Sequence, residues 1–190
     1  MKKLILASQS PRRKELLEKL GVTFTVEPSN INEDLAFSLS PRKLAEELSR
    51  KKAQFIANKR KNCIIIAADT IVVLKKKIFG KPKSKKEAKE MLKALSGKTH
   101  QVITAFTIID SKTEKRITKS VQTLVAFYKV TSKDLEKYLE TEEVFDKAGA
   151  YAIQEGAGQF IKKIEGDYTN IVGLPIAAVK KALKNIGFAL

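Results

Sequence analysis

Cysteine, histidine and tryptophan are nearly missing from this chain of 190 residues, which has one cysteine, one histidine and no tryptophan. Since a lone cysteine cannot form an internal disulfide, Cys63 is expected to be a buried free thiol in a reducing compartment. With His100 as the single histidine, the inventory supports neither a Cys/His zinc site nor a Ser-His-Asp constellation. No apolar run approaches the length of a membrane span, and the short apolar patch near the amino terminus is too small for a signal peptide. We therefore expect a cytoplasmic protein with no membrane partner.

Positive charge is what the chain has in excess, with 37 Lys and Arg against 21 Asp and Glu and a formal net charge of +16. This balance suits nucleotides, nucleic acid or anionic lipid and does not choose among them. Most of the excess is lysine scattered through predicted helices, so a solvated surface of the kind seen in thermophiles explains it equally well. At 43% hydrophobic residues the chain can bury a substantial core, and no repeat or linker marks a boundary. We predict one domain over residues 1–190, either undivided or in two lobes.

A strand, a loop and a helix are predicted at the amino terminus. Residues 4–7 are apolar and predict a short buried strand. Ser10 and Pro11 then supply an N-cap and a first helical position for a helix that ends at Gly21. The loop between strand and helix is the first candidate site.

Two arginines occupy an unusual position in this helix. Arg12 and Arg13 fall in its first turn, where the partially positive helix end disfavours cations. An anion in the loop would make the placement favourable, because free N–H groups, the hydroxyls of Ser8 and Ser10 and both guanidinium groups could converge on phosphate oxygens. The alternative is that both arginines are solvated surface charges. We interpret the loop as a phosphate cradle.

An acidic residue interrupts the most apolar run of the sequence. Residues 64–74 predict a central strand, and Asp69 lies within it. Because an unpaired buried carboxylate is costly, Asp69 must be paired, bound to a metal, or placed at a strand end facing a cleft. Lys52 falls near the buried side of a helix predicted from Pro41 to about Asn58. A lysine there usually extends its ammonium to solvent, and the alternative is that it points into a phosphate-binding cleft.

Three loops carry further candidate residues. Glu33 and Asp34 are adjacent carboxylates that are either solvated charges or ligands of a hard cation. Lys81 follows a glycine that frees the backbone. Residues 146–158 are rich in small side chains, as expected where backbone packs closely against a ligand or another element. Within them Gln154 could read a base edge through its paired donor and acceptor, and the alternative is a loop without a ligand.

The remaining patterns predict a mixed sheet flanked by helices. Alternating residues 22–26 predict a half-buried strand, and two strand-like runs around a turn predict an antiparallel hairpin. The predicted hairpin strands are residues 99–109 and 115–128. The further predicted helices are residues 84–97, 131–140 and 175–185. The antiparallel hairpin makes the predicted sheet a mixed one.

Taken in order, five sequence blocks closely resemble the Maf family of nucleoside triphosphate pyrophosphatases. They are Leu4–Leu17, Ala68–Val72, Gly80–Pro82, Asp146–Gln154 and Asn170–Pro175. The resemblance runs from end to end and implies a two-lobed α/β fold with an elongated mixed sheet, flanking helices and a central cleft, related to the inosine triphosphate pyrophosphatases. It also implies hydrolysis of a nucleoside triphosphate to monophosphate and pyrophosphate, a divalent cation (Mg²⁺ or Mn²⁺) and a homodimer.

The resemblance also implies roles by position. Asp69 matches the general base, and Arg12, Thr70 and Gln154 match positions of substrate choice. The positions that line the triphosphate and the metal are matched by Ser8, Arg13, Glu33, Lys52 and Lys81. From the required chemistry we further expect Arg12 to join the phosphate contacts and Asp69 to share the metal with Glu33. The block that ends at Gln154 resembles the branch that acts on dTTP and UTP more than the branch that acts on 7-methyl-GTP. Where that branch commonly has glycine, Glu155 adds a side chain and a negative charge near the expected base pocket.

The residues and the resemblance agree on the chemistry. Triphosphate hydrolysis needs a positive cradle, a metal and a base that aligns water, and the sequence offers residues for each. Two alternatives belong to other classes. A nucleic-acid-binding module would use the net charge, but the few aromatic residues are not interleaved with the basic runs, so no nucleic acid partner is expected. A nucleotide sensor tied to cell division would bind triphosphate without consuming it.

Overall fold

A mixed seven-stranded sheet organises the protein, whose computed structural model describes residues 2–31, 39–141 and 144–189. The strands are β1 (Lys3–Leu6), β2 (Thr25–Val26), β3 (Cys63–Leu74), β4 (Lys77–Phe79), β5 (Thr99–Asp110), β6 (Arg116–Phe127) and β7 (Ile161–Glu165). Their order is β2-β1-β3-β5-β6-β7, and β4 pairs with β3 beside this path. The predicted α/β class with a mixed sheet is confirmed.

Helices connect and flank these strands. They are α1 (Pro11–Glu18), α2 (Pro41–Lys59), α3 (Lys85–Leu95), α4 (Ser132–Thr141), α5 (Tyr168–Val172) and α6 (Ile176–Asn185), with short 3₁₀ turns at Ala148–Ala150 and Gly156–Phe160. Ser84 caps α3, since its Oγ accepts a hydrogen bond from the Glu87 amide at 3.1 Å. Ser40 precedes α2 but forms no side-chain cap bond, and α5 was not predicted.

β1 is short and buried, as its apolar sequence predicts. It pairs in parallel with β2 on one side and with β3 on the other, in a register that runs from Lys3 beside Cys63 to Leu6 beside Ile66. A strand covered on both faces favours a continuous apolar run. The carboxyl end of β1 therefore opens directly into the loop that precedes α1.

Antiparallel pairs complete the sheet. β3 pairs with β4 across a tight turn in which Lys75 has a φ of 57°, and β6 pairs with β7. At the turn between β5 and β6, the Asp110 carboxylate accepts from the Lys112 amide at 3.0 Å and from Thr113 Oγ1 at 2.8 Å. It also accepts from the Lys2 ammonium. The predicted hairpin is thus confirmed.

The chain divides into two compact units. Unit 1 comprises Met1–Asp69, Thr104–Val121 and Gly173–Leu190, and unit 2 comprises Thr70–Ile103 and Gln122–Val172. One cluster of buried side chains in unit 1 includes Ile5, Ile56 and Ile65. A buried cluster in unit 2 includes several aromatic residues, among them Phe127 and Phe160. The two-lobed single domain stays a prediction.

One element differs from its predicted form. The alternating residues 22–26 form only the two-residue strand β2, in which Val26 is 43% exposed. β2 lies at the edge of the sheet with β1 as its neighbour, so little backbone pairing holds it. Cys63 is buried, as expected. None of the helices in the described ranges combines the length and the hydropathy that a membrane crossing requires.

Candidate active site

Arg13 is held against the loop that precedes its own helix. Its Nε donates to the Gly173 carbonyl at 2.9 Å and its Nη1 donates to Ser8 Oγ at 3.3 Å. The Ser10 hydroxyl caps α1 by accepting from the Arg13 amide at 3.4 Å, as the sequence predicts. Arg13 is therefore a positioned, half-buried guanidinium group, which contradicts the alternative of a freely solvated charge at this position. Arg12, next to it, is also half-buried.

Ser8 lies between the strand and the helix, and its hydroxyl oxygen accepts two hydrogen bonds. They come from the Ser10 amide at 3.2 Å and from Arg13 Nη1 at 3.3 Å. A hydroxyl has two acceptor lone pairs and one donor hydrogen. The two accepted hydrogen bonds use both lone pairs of Ser8 Oγ. Its O–H hydrogen is a donor of the kind that binds an anion.

A buried ion pair joins α2 to the central strand. Lys52 Nζ lies 2.6 Å from Asp69 Oδ1, and the side chains are only 10% and 9% exposed. The prediction that Asp69 needs a partner is confirmed. The favoured prediction for Lys52 was wrong, because its ammonium does not extend to solvent. Lys52 lies one turn from Leu48 and Ile56 on the buried face of α2, and the cost of burying its charge is met by the carboxylate.

The hydrogen-bonded Ser8 and Arg13 and the Lys52–Asp69 ion pair all belong to unit 1, and the strand register relates Ser8 to Asp69. The Ala7 amide donates to the Ile66 carbonyl at 2.7 Å, so the parallel register continues to the end of β1. Ser8 then comes one residue short of the level of Asp69, on a strand about 4.8 Å away. Ligands of α/β sheets bind outside the carboxyl ends of parallel strands. Ser8 follows such an end, that of β1, whereas Asp69 lies within the neighbouring strand β3.

Three predicted residues belong to unit 2. Thr70 follows Asp69 in β3 and is half-buried, while the Lys81 and Gln154 side chains are exposed. The Gly149 amide donates to the Gly80 carbonyl at 2.9 Å, so the segment that contains Gln154 is bonded to the loop that contains Lys81. These residues are described within unit 2 only, and their predicted roles stay predictions.

The small residues of the 146–158 segment have a packing reason. Gly149 has a φ of 69°, and a Cβ at this position would lie 3.1 Å from Val72 Cγ2. Only glycine combines this backbone conformation with such a close approach. The expectation of close backbone packing here is confirmed, with Val72 as the neighbouring element.

Glu155 has a partner that sequence reasoning missed. The buried Lys147 places its Nζ 2.9 Å from Glu155 Oε2 and 2.9 Å from Asp146 Oδ1. The negative charge expected of Glu155 is thus compensated by an ammonium group. The available signal was a single lysine among small apolar residues, with acids at both ends of the segment. Such a lysine is rarely buried unless it is paired.

Of the two predicted metal ligands, Asp69 lies within the residues that the structure describes and Glu33 does not. Glu33 and Asp34 lie outside the described residues, and inside them no group of three or more His, Cys, Asp and Glu side chains could hold a metal ion. Among the described residues Asp69 accepts a hydrogen bond at Oδ1, from Lys52. Its Oδ2 suits Mg²⁺, which commonly binds one or two carboxylates together with substrate phosphates and water.

Fold and site together define an α/β protein with a buried, paired acid and a loop at the carboxyl end of a parallel strand that positions a serine and an arginine. A family model described as "Maf-like protein" matches residues 3–186. The chain belongs to the Maf family.

Curated relatives cover nearly the whole chain. A protein of Alkaliphilus oremlandii named dTTP/UTP pyrophosphatase is 50% identical over 186 residues, covering 97% of this chain and 96% of that protein. Proteins with the same name from Bacillus pumilus and Carboxydothermus hydrogenoformans are each 44% identical, covering 98% of this chain and 98% and 100% of their own length.

Proposed function

We propose that this protein hydrolyses nucleoside triphosphates to the nucleoside monophosphate and pyrophosphate, with dTTP and UTP as preferred substrates. The names of its full-length relatives support the reaction and the substrates. The observation that carries the proposal is that unit 1 contains both the buried Lys52–Asp69 pair and the hydrogen-bonded Ser8–Arg13 group. In this proposal the pair supplies a base for water and the group supplies donors for phosphate.

Asp69 is the proposed general base. Its carboxylate orients the attacking water and accepts the proton that the water loses as the bond between the α- and β-phosphates is hydrolysed. Lys52 places a positive charge 2.6 Å from Oδ1 of this carboxylate. The same ammonium is a proposed phosphate contact. Because both groups are nearly buried, their charges act in a medium of low dielectric, where they are stronger than in water.

The phosphates bind to donors at the start of α1 in this proposal. Arg13 is preorganised by Gly173 and Ser8, so less side-chain entropy is lost when it binds an anion. The Ser8 O–H and the Arg12 guanidinium add donors in the same turn. Lys81 is the proposed contact from unit 2.

Base selection is proposed for the residues that match family positions of substrate choice. The Gln154 carboxamide presents a donor and an acceptor, the pair needed to hydrogen-bond the edge of a pyrimidine base. Thr70 and Arg12 complete this proposed set.

A divalent cation fits the donor chemistry at Asp69. We propose Asp69 and Glu33 as its ligands, the latter outside the described residues. When bound, Mg²⁺ or Mn²⁺ supplies positive charge that neutralises phosphate oxygens.

Pyrophosphate release from a panel of nucleotides tests the function. The protein is incubated with Mg²⁺ and dTTP, UTP, CTP, dATP, GTP or 7-methyl-GTP, and pyrophosphate and monophosphate are measured together. We expect both products in equal amounts, fastest from dTTP and UTP. Triphosphate binding without turnover would support a sensor instead. Salt-dependent binding to RNA or DNA without turnover would support a nucleic-acid-binding protein.

A homodimer and a cytoplasmic location are part of the same proposal and follow from the family resemblance. Light scattering at assay concentration tests the dimer, and a monomeric mass would contradict it.

A further inference from the structure

Lys147 is the most completely buried charged side chain of the segment that contains Gln154. It is 4% exposed, and its ammonium contacts two carboxylates, those of Asp146 and Glu155. An ammonium can be buried at acceptable cost only when such partners surround it. The three charges therefore form one cluster in unit 2, with Lys147 at its centre.

The two carboxylates are not equivalent. Asp146 and Lys147 are neighbours in the sequence, so their contact does not restrain the backbone between distant residues. Glu155 follows the turn that contains Gly149, and its contact with Lys147 connects the two sides of that turn. Between them lies Gly149, whose amide donates to the Gly80 carbonyl and where an added Cβ would lie 3.1 Å from Val72 Cγ2.

The second part of the segment contains Gln154 and a turn of its own. The Glu155 amide donates to the Ala152 carbonyl at 3.3 Å, and the Gly158 amide donates to the Glu155 carbonyl at 3.0 Å. Gln154 lies inside this turn with an exposed side chain. The Glu155 backbone has a φ of −110° and a ψ of −175°, which is extended and unstrained. The carboxylate thus reaches Lys147 without distorting the chain.

We propose that Glu155 is a positioning residue for base selection: its ion pair with Lys147 fixes the turn that carries Gln154. A carboxamide distinguishes one base edge from another only when its orientation is set by the surrounding structure. Glu155 therefore acts on the nucleoside end of the substrate and not on the phosphates. This inference rests on the proposed function, in which Gln154 contacts the base.

The Glu155→Ala variant removes the ion pair between Glu155 and Lys147. The protein should still fold, because Asp146 continues to compensate the charge of Lys147. We expect kcat/KM for dTTP and UTP to fall about fivefold, the size of one weakened neutral hydrogen bond. The values for purine triphosphates should stay unchanged, so that selectivity falls by the same factor. Glu155→Gln keeps an acceptor for Lys147 and should retain part of the selectivity.

Binding probes separate the two ends of the substrate. The dissociation constant of thymidine monophosphate should rise in Glu155→Ala, and the inhibition constant of inorganic tripolyphosphate should not. Gln154→Ala provides the reference for complete loss of base reading. Glu165→Ala is the matched control, since Glu165 pairs with Lys163 in the same unit at 2.6 Å with both side chains exposed. It should leave selectivity and both binding constants at wild-type values.

The outcomes distinguish this inference from the function on which it rests. Wild-type protein that releases no pyrophosphate from any triphosphate would overturn both. An active wild type with unchanged selectivity in Glu155→Ala would overturn only the role of Glu155. A lower melting temperature with equal losses on all nucleotides would assign Glu155 a purely structural role and would also overturn the inference.

Discussion

Both units bury a lysine, and they compensate its charge in different ways. In unit 1 the Lys52–Asp69 pair is closed, with side chains 10% and 9% exposed. In unit 2 Lys147 is 4% exposed, but its partners Asp146 and Glu155 are 51% and 33% exposed. Unit 1 thus buries one charge of each sign, whereas unit 2 buries a cation beneath two carboxylates that still contact water.

The difference indicates what each arrangement can do. In the closed pair, each charge depends on the other because neither can regain its hydration. A reactive carboxylate benefits from such a site, where the electrostatic environment is fixed before substrate arrives. In the cluster of Lys147, Asp146 and Glu155, the ammonium keeps one carboxylate partner when the other is removed. Such a cluster suits a restraint on backbone conformation, because one of its ion pairs can form or break without leaving a buried charge unpaired.

Removal of the lysine should distinguish the two arrangements most strongly. Lys52→Met leaves a buried carboxylate unpaired and should lower the free energy of unfolding by about 3–5 kcal/mol. Lys147→Met leaves carboxylates that water can reach and should cost less. Urea unfolding at pH 7 measures both. In the Lys52→Met/Asp69→Asn double variant, the loss should be smaller than the sum of the single losses. A larger loss for Lys147→Met would contradict the comparison.

His100 offers a third solution, a buried group kept neutral. It is 1% exposed, Nε2 contacts Tyr151 Oη at 2.7 Å, and Nδ1 has no hydrogen-bond partner among the described residues. Burial lowers the pKa of His100 to about 4, from 6.5. The unfolded chain therefore takes up the proton first, and stability should be lost as pH falls from about 6.5 to 4, by about 3 kcal/mol.

Urea unfolding between pH 7 and pH 4 measures this effect against a His100→Gln variant. Other groups titrate in both proteins, so the relevant quantity is the difference between the two curves. The difference should grow steadily below pH 6.5. Parallel curves would contradict a neutral buried histidine.

Asp69→Asn tests the catalytic use of the closed pair. It keeps the shape of the side chain and removes the charge, and turnover should fall at least about 100-fold, the lower range for loss of a general base. Pyrophosphate release under saturating dTTP measures it. Asp110→Asn is the matched control, because Asp110 is also a buried acid of unit 1 but bonds to Lys2 and Thr113 in a hairpin turn. Asp110→Asn should lower the stability of the protein and leave turnover unchanged. Near-normal turnover in Asp69→Asn would exclude Asp69 as the base.

Arg13→Lys should have the smallest of these effects. A lysine cannot reproduce the planar set of donors that bonds Gly173 and Ser8 and still faces a phosphate. We expect the inhibition constant of tripolyphosphate to rise about tenfold, equivalent to about 1.4 kcal/mol. Arg50→Lys is the control, since Arg50 pairs with Glu47 on the surface of α2. Equal binding by both variants would remove Arg13 from the phosphate site.

The sequence predicted local features of the site well, because they follow from local rules. The cap of Ser10, the loop before α1 and the need of Asp69 for a partner can each be derived from neighbouring residues. Which residues bond to Arg13 and to Asp69 could not be derived in this way. Arg13 is positioned by Gly173, far along the chain, and Lys52 reaches Asp69 only because α2 packs on β3.

Two further differences have the same origin. Helical periodicity placed Lys52 near a buried face, but whether its ammonium reaches solvent depends on what lies opposite. The charge of Glu155 was evident from the sequence, whereas its compensation by Lys147 was not. Long-range pairing of charges is set by tertiary packing, which no local pattern specifies.

The tyrosines are distributed unevenly, with a consequence for optical measurements. All four, Tyr128, Tyr138, Tyr151 and Tyr168, belong to unit 2, and the chain has no tryptophan. Intrinsic fluorescence excited at the tyrosine band will therefore report on unit 2 while unit 1, which holds the proposed base, stays dark. A tryptophan in place of the half-buried Phe55 of α2 would give unit 1 its own emission, and coincident or separate melting of the two signals would reveal whether the protein unfolds in one step.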